Sequence, residues 1–302
     1  MVSKKLINLN TEVESALTSN QPVVALESTV IAHGLPSPQN LETAQRLEQI
    51  VRAAGAVPAT IAILNGRLHL GLDDDQIRLI ATSADVKKIS TRDLAIAVAN
   101  RWHGATTVAS TVWIARRAGI RVFATGGIGG VHRGALPDIS ADLPELARTP
   151  MVVVCSGAKI VLALPATREW LETHGVTVVG YGCDELPAFY SRRSGLPVDA
   201  RADSAQDVAR IFKAQNELGI ESALVVAVPV PEEAEVPPGP LTEILDEALA
   251  EAERLQIGGR ELTPFLLSRM AQQSAGATLK ANIALLENNA RVAAEIAAAI
   301  VV

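Results

Sequence analysis

The sequence of 302 residues predicts an α/β fold, three-layer α/β/α with a central mixed, largely parallel sheet, in a single domain spanning 1–302. Three observations predict it. Short apolar runs alternate with amphipathic helical stretches along the chain. Two of the runs, Val122 to Ala124 and Met151 to Cys155, end in glycine-containing turns rather than polar hairpins, as buried parallel strands do. One Asn-Gly pair, Asn65-Gly66, lies between two strand-like runs and adds an antiparallel pair, which makes the sheet mixed.

In chain order, Val23 to Leu26 reads as a buried strand ending in Glu27-Ser28-Thr29, followed by a loop from His33 to Pro38. Ser37 can cap the next helix with Pro38 at its first position; Leu41, Ala44, Leu47 and Val51 give its apolar spacing, and Gly55 can end it. Thr60 to Leu64 and Arg67 to Leu70 flank the Asn-Gly turn. Asp73 to Gln76 fits a capping box, and Ser90 can cap a short helix after Lys88. GATTVASTVWIARRAG reads as an alanine-rich buried helix with Gly104 to Thr107 at its mouth and Gly119 as its stop. Strands Val122 to Ala124 and Met151 to Cys155 follow, then a helix entered at Pro165, a strand Thr177 to Gly180, and a loop through Pro187 to Arg192. Ser204 to Asp207 caps a helix that ends near Gly219 and leads to a strand from Ala223 to Val228. The proline-rich acidic stretch Pro229 to Pro240 reads as a lid or surface excursion, before helices at Thr242 to Leu255, Pro264 to Met270 and Ile283 to Ile300.

The composition narrows the function. A net charge of -6 argues against a nucleic-acid polymer as partner, and 3% aromatic residues leave no stacking platform for single strands. Cys155 and Cys183 are the only cysteines and have no CxxC spacing, so neither a disulfide framework nor a zinc site is expected, and a reducing cytoplasm fits. No apolar run reaches membrane-spanning length, so no membrane partner is expected.

Most of the polar chemistry lies between Val122 and Lys159. The turn Thr125-Gly126-Gly127-Ile128-Gly129-Gly130 lets backbone N–H groups approach a ligand. Its glycines come as two pairs, unlike the dinucleotide fingerprint, and no ribose-reading acid follows. Ser156-Gly157-Ala158 delivers Lys159 to the expected opening turn of a helix, where the dipole disfavours a protonated ammonium. From local pattern alone, Lys159 is a Schiff-base nucleophile or a solvated or phosphate-binding lysine. Glu27 is a half-buried acid with a raised pKa or a helix-capping carboxylate. Asp138 and Asp142 are first-turn helix carboxylates, or one of them holds a hard cation. His132 orients a substrate or makes a local hydrogen bond.

Ten stretches taken together, ALESTVIAHGLPSPQN, GAVPATIAILNG, KISTRDL, GATTVAST, FATGGIGGVHRGA, DISADLPEL, VVVCSGAK, ETHGVTVVGY, LPAFYSR and TPFLL, resemble the pseudouridine-5'-phosphate glycosidases, also called the indigoidine synthase A-like family. The resemblance runs in order from Val23 to Asn289. It implies reversible cleavage of the C–C glycosidic bond of pseudouridine 5'-phosphate to uracil and ribose 5-phosphate in nucleotide catabolism, a divalent metal, usually Mn2+, and a homotrimer. It further implies that Lys159 is the covalent nucleophile, Glu27 the proton donor and Asp138 the metal ligand. Lys88, Val108, Ser140, Ala141 and Asp142 are implied to contact substrate, and His132 and Asn282 the uracil or sugar. Lys88 and the turns at Thr106-Thr107 or at Thr125, Gly126 and Gly127 are candidates for the phosphate. The segment between Gly134 and Asp138 is slightly shorter than is usual for the family, which bears on the metal position.

Overall fold

The computed structural model describes residues 6–133, 138–259 and 262–301. Its strands are β1 (Ile7–Leu9), β2 (Val23–Leu26), β3 (Val57–Leu64), β4 (Arg67–Leu70), β5 (Lys87–Ile89), β6 (Gly104–Thr106), β7 (Val122–Ala124), β8 (Val152–Cys155), β9 (Thr177–Tyr181), β10 (Ala200–Ala202) and β11 (Leu224–Ala227). They form a sheet of order β1-β4-β3-β2-β7-β8-β11-β9-β10, with β6 paired to β3 and β5 to β6. The β3–β4 and β3–β6 pairs are antiparallel. All the others are parallel. The sheet is therefore the mixed, largely parallel one expected.

Asn65 and Gly66 both take positive φ, 49° and 74°. This is the backbone that a two-residue hairpin favours, and it sets Leu64 opposite Arg67. The central strands β2, β8 and β11 are buried at every residue, which explains their unbroken apolar sequences. Each such Val or Leu contributes about 1.5–3 kcal/mol relative to an exposed one. Helix Ala277–Val301 packs across β2, β7 and β8 beside helices Gln39–Ala53 and Ala205–Glu217, while helix Val108–Ala118 packs on β2, β3 and β6. No helix among the described residues is long and apolar enough to cross a membrane.

Four strands have no counterpart in the sequence pattern: β1, β5, β6 and β10. Each has three residues, too few to show a period, and β5 and β10 carry charged side chains. Gly104 to Thr106, expected at a helix mouth, is instead β6, seated between β3 and β5. A Cβ on Gly104 would lie 2.3 Å from the Ile89 side chain, so this pairing needs glycine. Ser37 does not cap the next helix. The Ser37-Pro38 peptide is cis, and helix Gln39–Ala53 starts after Pro38 without a side-chain cap. Asn40 braces that corner, donating to the carbonyls of Ile31 (3.0 Å) and Ala81 (2.9 Å). The stretch at 229–240 is strapped down rather than loose: Val230 is fully buried, Ser191 donates to the Val236 carbonyl at 2.7 Å, and Arg192 N–H donates to Glu235 at 2.8 Å. Residues 134–137, on which the length comparison with the family turns, lie outside the described residues.

Candidate active site

Parallel register delivers the catalytic candidates to one end of the sheet. Leu26 of β2 pairs with Ala124 of β7, so Glu27 and Thr125, each the first residue past its strand, stand side by side. The Thr125 hydroxyl donates to Glu27 Oε1. Ala124 in turn pairs with Val154 of β8, and the turns beyond these strands zip together: Ser156 N–H donates to the Gly126 carbonyl (2.8 Å), Ile128 N–H to Gly157 (3.1 Å) and Lys159 N–H to Ile128 (3.1 Å). Lys159 is thereby fixed in a bridging loop. The helix expected to open there begins only at Leu164, so its terminus does not bear on the ammonium; the backbone is held by pairing to residues 126–128 instead.

The antiparallel strand β6 turns the chain back toward this end. A buried knot secures it: Ser28 Oγ donates to the Ile61 carbonyl (2.6 Å), Thr106 N–H donates to Ser28 Oγ (2.8 Å), and Thr106 Oγ1 also donates to Ile61 (2.7 Å). Val108 then opens a helix capped by Thr107, and β5, paired to β6, brings in Lys88. Asp142 joins these parts. Its Oδ1 accepts from Ala109 N–H in the first turn of that helix (2.9 Å), and its Oδ2 accepts from Gly129 N–H in the glycine turn (2.8 Å). Asp142 thus caps a helix other than its own, where the helix dipole favours an anion.

The result is a cleft with two chambers. The outer one, about 390 Å³, is lined by Val108, His132, Asp138, Ser140, Ala141 and Asp142. The inner one, about 50 Å³, is lined by Thr125, Gly126, Gly127 and Asn282. Glu27, Lys88 and Lys159 line both and so stand at the junction. Every candidate residue from the sequence faces one chamber or the other except Thr106, which is buried in the knot with Ser28 and Ile61. A larger cleft of about 530 Å³, lined by Arg116, Arg121, Pro150 and Phe212 among others, opens at the other end of β7 and β8, away from the carboxyl ends where ligands of such sheets bind.

The glycine turn is not uniformly open to a ligand. Gly129 is there for packing: a Cβ would lie 2.1 Å from Ser140 Oγ. Gly130 has the same reason, with Thr167 at 2.3 Å, and of the four glycines it alone lines neither chamber. Sequence reasoning also left out Thr29, His33, Phe189 and Thr263, which line the cleft. The signal for all four lies inside the matched stretches ALEST, AHGLP, LPAFYSR and TPFLL, where no role was assigned.

Electrostatics single out Glu27. It is 7% exposed, and burial raises its pKa, with Lys159, the Thr125 hydrogen bond and Lys88 acting against that rise and Asp142 adding to it. It caps no helix; it is a buried acid poised to hold a proton. His33 is shifted the other way, since burial first and then the charge of Lys88 lower its pKa and leave the ring neutral near pH 7. Cys155 is core, its thiol pushed up to about 11 by burial.

A divalent metal has a limited set of donors here. Asp138 is exposed at the outer chamber, with its carbonyl accepting from His132 N–H at 2.8 Å, and no group of three His, Cys, Asp or Glu side chains suited to a metal occurs among the described residues. Such a donor set fits a hard cation that keeps most of its water and is held by one carboxylate.

The profile of the family described as Indigoidine synthase A like protein matches residues 12–299. The chain belongs to this family. Among its relatives, a protein of Geobacillus kaustophilus named pseudouridine-5'-phosphate glycosidase is 54% identical over 288 residues, covering 95% of this chain and 96% of its own. One of the same name from Herpetosiphon aurantiacus is 54% identical over 298 residues and covers 98% of each chain. Of solved structures in this fold, the prealnumycin C-glycosynthase AlnA in complex with ribulose 5-phosphate superposes with a TM-score of 0.91 at 42% identity, covering 99% of this chain and 98% of that one. The indigoidine synthase A-like chain described here is accordingly an enzyme.

Proposed function

We propose that the enzyme reversibly cleaves the C–C glycosidic bond of pseudouridine 5'-phosphate, giving uracil and ribose 5-phosphate. The observation that carries this reading is the meeting of a buried acid, Glu27, with two lysines, Lys88 and Lys159, at the junction of the two chambers. The relatives named for this activity and the sugar phosphate in the AlnA complex support it.

A carbon leaving group cannot be released as glycosidases release oxygen, by protonating the bridging atom between two carboxylates. An amine offers another route. Glu27 gives its proton to the ribose ring oxygen as the Lys159 amine bonds to C1' and the C1'–O bond breaks. The Glu27 carboxylate then takes a proton from the new secondary ammonium. Glu27 passes that proton to uracil C5, and the C1'–C5 bond then breaks, its electron pair restoring the C5=C6 double bond as the nitrogen lone pair forms the iminium. Water hydrolyses the iminium to ribose 5-phosphate and frees Lys159.

In this reading the outer chamber takes the sugar phosphate, with Lys88 and Ser140 to Asp142 around it and His132 at the sugar, and the inner chamber takes uracil against Asn282; the turn at Thr125, Gly126 and Gly127, a phosphate candidate from the sequence, lines the inner chamber and so faces the base instead. Asp138 would hold a hydrated divalent cation such as Mn2+, which when bound supplies positive charge beside the phosphate and orders water. The same reading extends to a cytoplasmic homotrimer that consumes pseudouridine 5'-phosphate in nucleobase catabolism. Incubation of the protein with pseudouridine 5'-phosphate and Mn2+ tests it: free uracil is expected in proportion to enzyme, and its absence contradicts the reading.

A further inference from the structure

Glu27 and Lys159 come from different strands, and the reaction needs them in one fixed geometry. Backbone pairing holds the turns beyond β7 and β8 to each other, but a third element locks them from behind. Asn289, on helix Ala277–Val301, is fully buried. Its Nδ2 donates to the Thr125 carbonyl at 2.8 Å, to Ser156 Oγ at 3.1 Å and to the Gly126 carbonyl at 3.4 Å. Its Oδ1 is 3.3 Å from Ser156 Oγ, which can donate to it when the hydroxyl rotates.

The two ends of this clamp lead straight to the chemistry. Thr125 is the residue whose hydroxyl donates to Glu27, and Ser156 opens the turn that carries Lys159. Asn289 lines neither chamber, so it reaches the reaction only through these two turns. A purely packing role would not need a polar side chain here, because a buried amide costs stability unless it is hydrogen-bonded, and an apolar residue of its size would fill the same space.

We infer that Asn289 is a positioning residue that fixes the turn bearing Thr125, and through it Glu27, against the turn bearing Lys159. The inference rests on the proposed reaction for its kinetic consequences, but not for its effect on Glu27. Without the amide, the Thr125 carbonyl loses a partner, the turn relaxes, and the hydroxyl no longer meets Glu27. The Thr125 hydrogen bond lowers the Glu27 pKa, so its loss moves that pKa upward.

The test compares Asn289→Leu, which fills the space without hydrogen bonds, with Asn289→Ser, which keeps one donor, and with Val292→Ala, which leaves a cavity in the same helix at a buried residue that makes no side-chain hydrogen bond. Turnover of pseudouridine 5'-phosphate is expected to fall about 10- to 100-fold in N289L, the scale of a misplacement near 1 Å. KM should stay within about threefold, since substrate contacts remain. N289S should fall between N289L and wild type, and V292A should keep its turnover while losing thermal stability. Titration of the Glu27 carboxyl, followed by 13C NMR, is expected to move to higher pH in N289L whatever substrate the enzyme takes. An unmoved Glu27 titration, or a turnover loss in N289L no greater than in V292A, overturns the positioning role. Wild-type protein inert toward pseudouridine 5'-phosphate would remove the proposed reaction instead, and the Glu27 titration would still decide the role of Asn289.

Discussion

The Thr125 hydroxyl donates to the Glu27 carboxylate across 98 residues of sequence, because β2 and β7 are parallel neighbours whose registers end together. That bond favours the ionised acid, while burial favours the protonated one, and burial is the larger effect. Glu27 therefore keeps its proton to a higher pH than an ordinary glutamate, with Thr125 limiting the rise.

Replacing Thr125 with Val removes the hydroxyl at nearly constant volume. The Glu27 inflection in the pH profile of kcat/KM is expected to move to higher pH, with turnover reduced about tenfold. A profile superimposable on wild type would show that Thr125 does not tune the acid.

Glu27→Gln should lower turnover about 10²- to 10⁴-fold, the usual contribution of a general acid. The same variant changes stability in a pH-dependent way. The folded pKa of Glu27 is raised above its unfolded value of about 4.5, so its favourable contribution is present in full below that value and is lost as pH rises through the folded pKa. Glutamine cannot ionise, and each unit of raised pKa corresponds to about 1.4 kcal/mol. E27Q is thus expected to melt above wild type at pH 8, with the gap closing toward pH 4.5; thermal melts across this range would show it.

Asp142 is expected to matter for the fold of the site as much as for ligand contact. Asp142→Ala leaves the Ala109 and Gly129 amides without their acceptor, at about 1–3 kcal/mol each where no water replaces it. Urea unfolding should show that loss, together with turnover reduced at least about tenfold. Asp142→Asn, which keeps one carbonyl oxygen, should lie between. An alanine variant as stable as wild type would contradict the bridging role.

In the proposed reading Asp138 is the one carboxylate that would hold the metal, and its exposure predicts weak binding. Chelation should abolish turnover, and added Mn2+ should restore it in wild type but only at much higher concentration in Asp138→Ala. Full activity after exhaustive chelation would show that no divalent cation is required.

Much of this site is visible in the sequence because parallel strands deliver their next residue to a common end: Glu27, Thr125 and Ser156 each follow an apolar run, and the rule for such sheets makes them neighbours. What is hidden depends on long-range pairing. Lys88 sits on a strand of three residues, too short for a pattern, and reaches the cleft because β6 runs back against β3. Asn289 lies in an alanine-rich helix with no local sign that it faces two turns more than 130 residues away. The helix expected at Lys159 failed for a related reason: the segment satisfies its backbone by pairing with residues 126–128, a choice that no local propensity records.

The central claim is that Lys159 carries the substrate covalently. Borohydride reduction of the enzyme with ribose 5-phosphate, followed by peptide mass mapping, tests it most directly. The expected result is one reduced sugar-phosphate adduct, on Lys159, absent from Lys159→Ala; an adduct on Lys88 or another lysine, or none while the enzyme turns over, would contradict it.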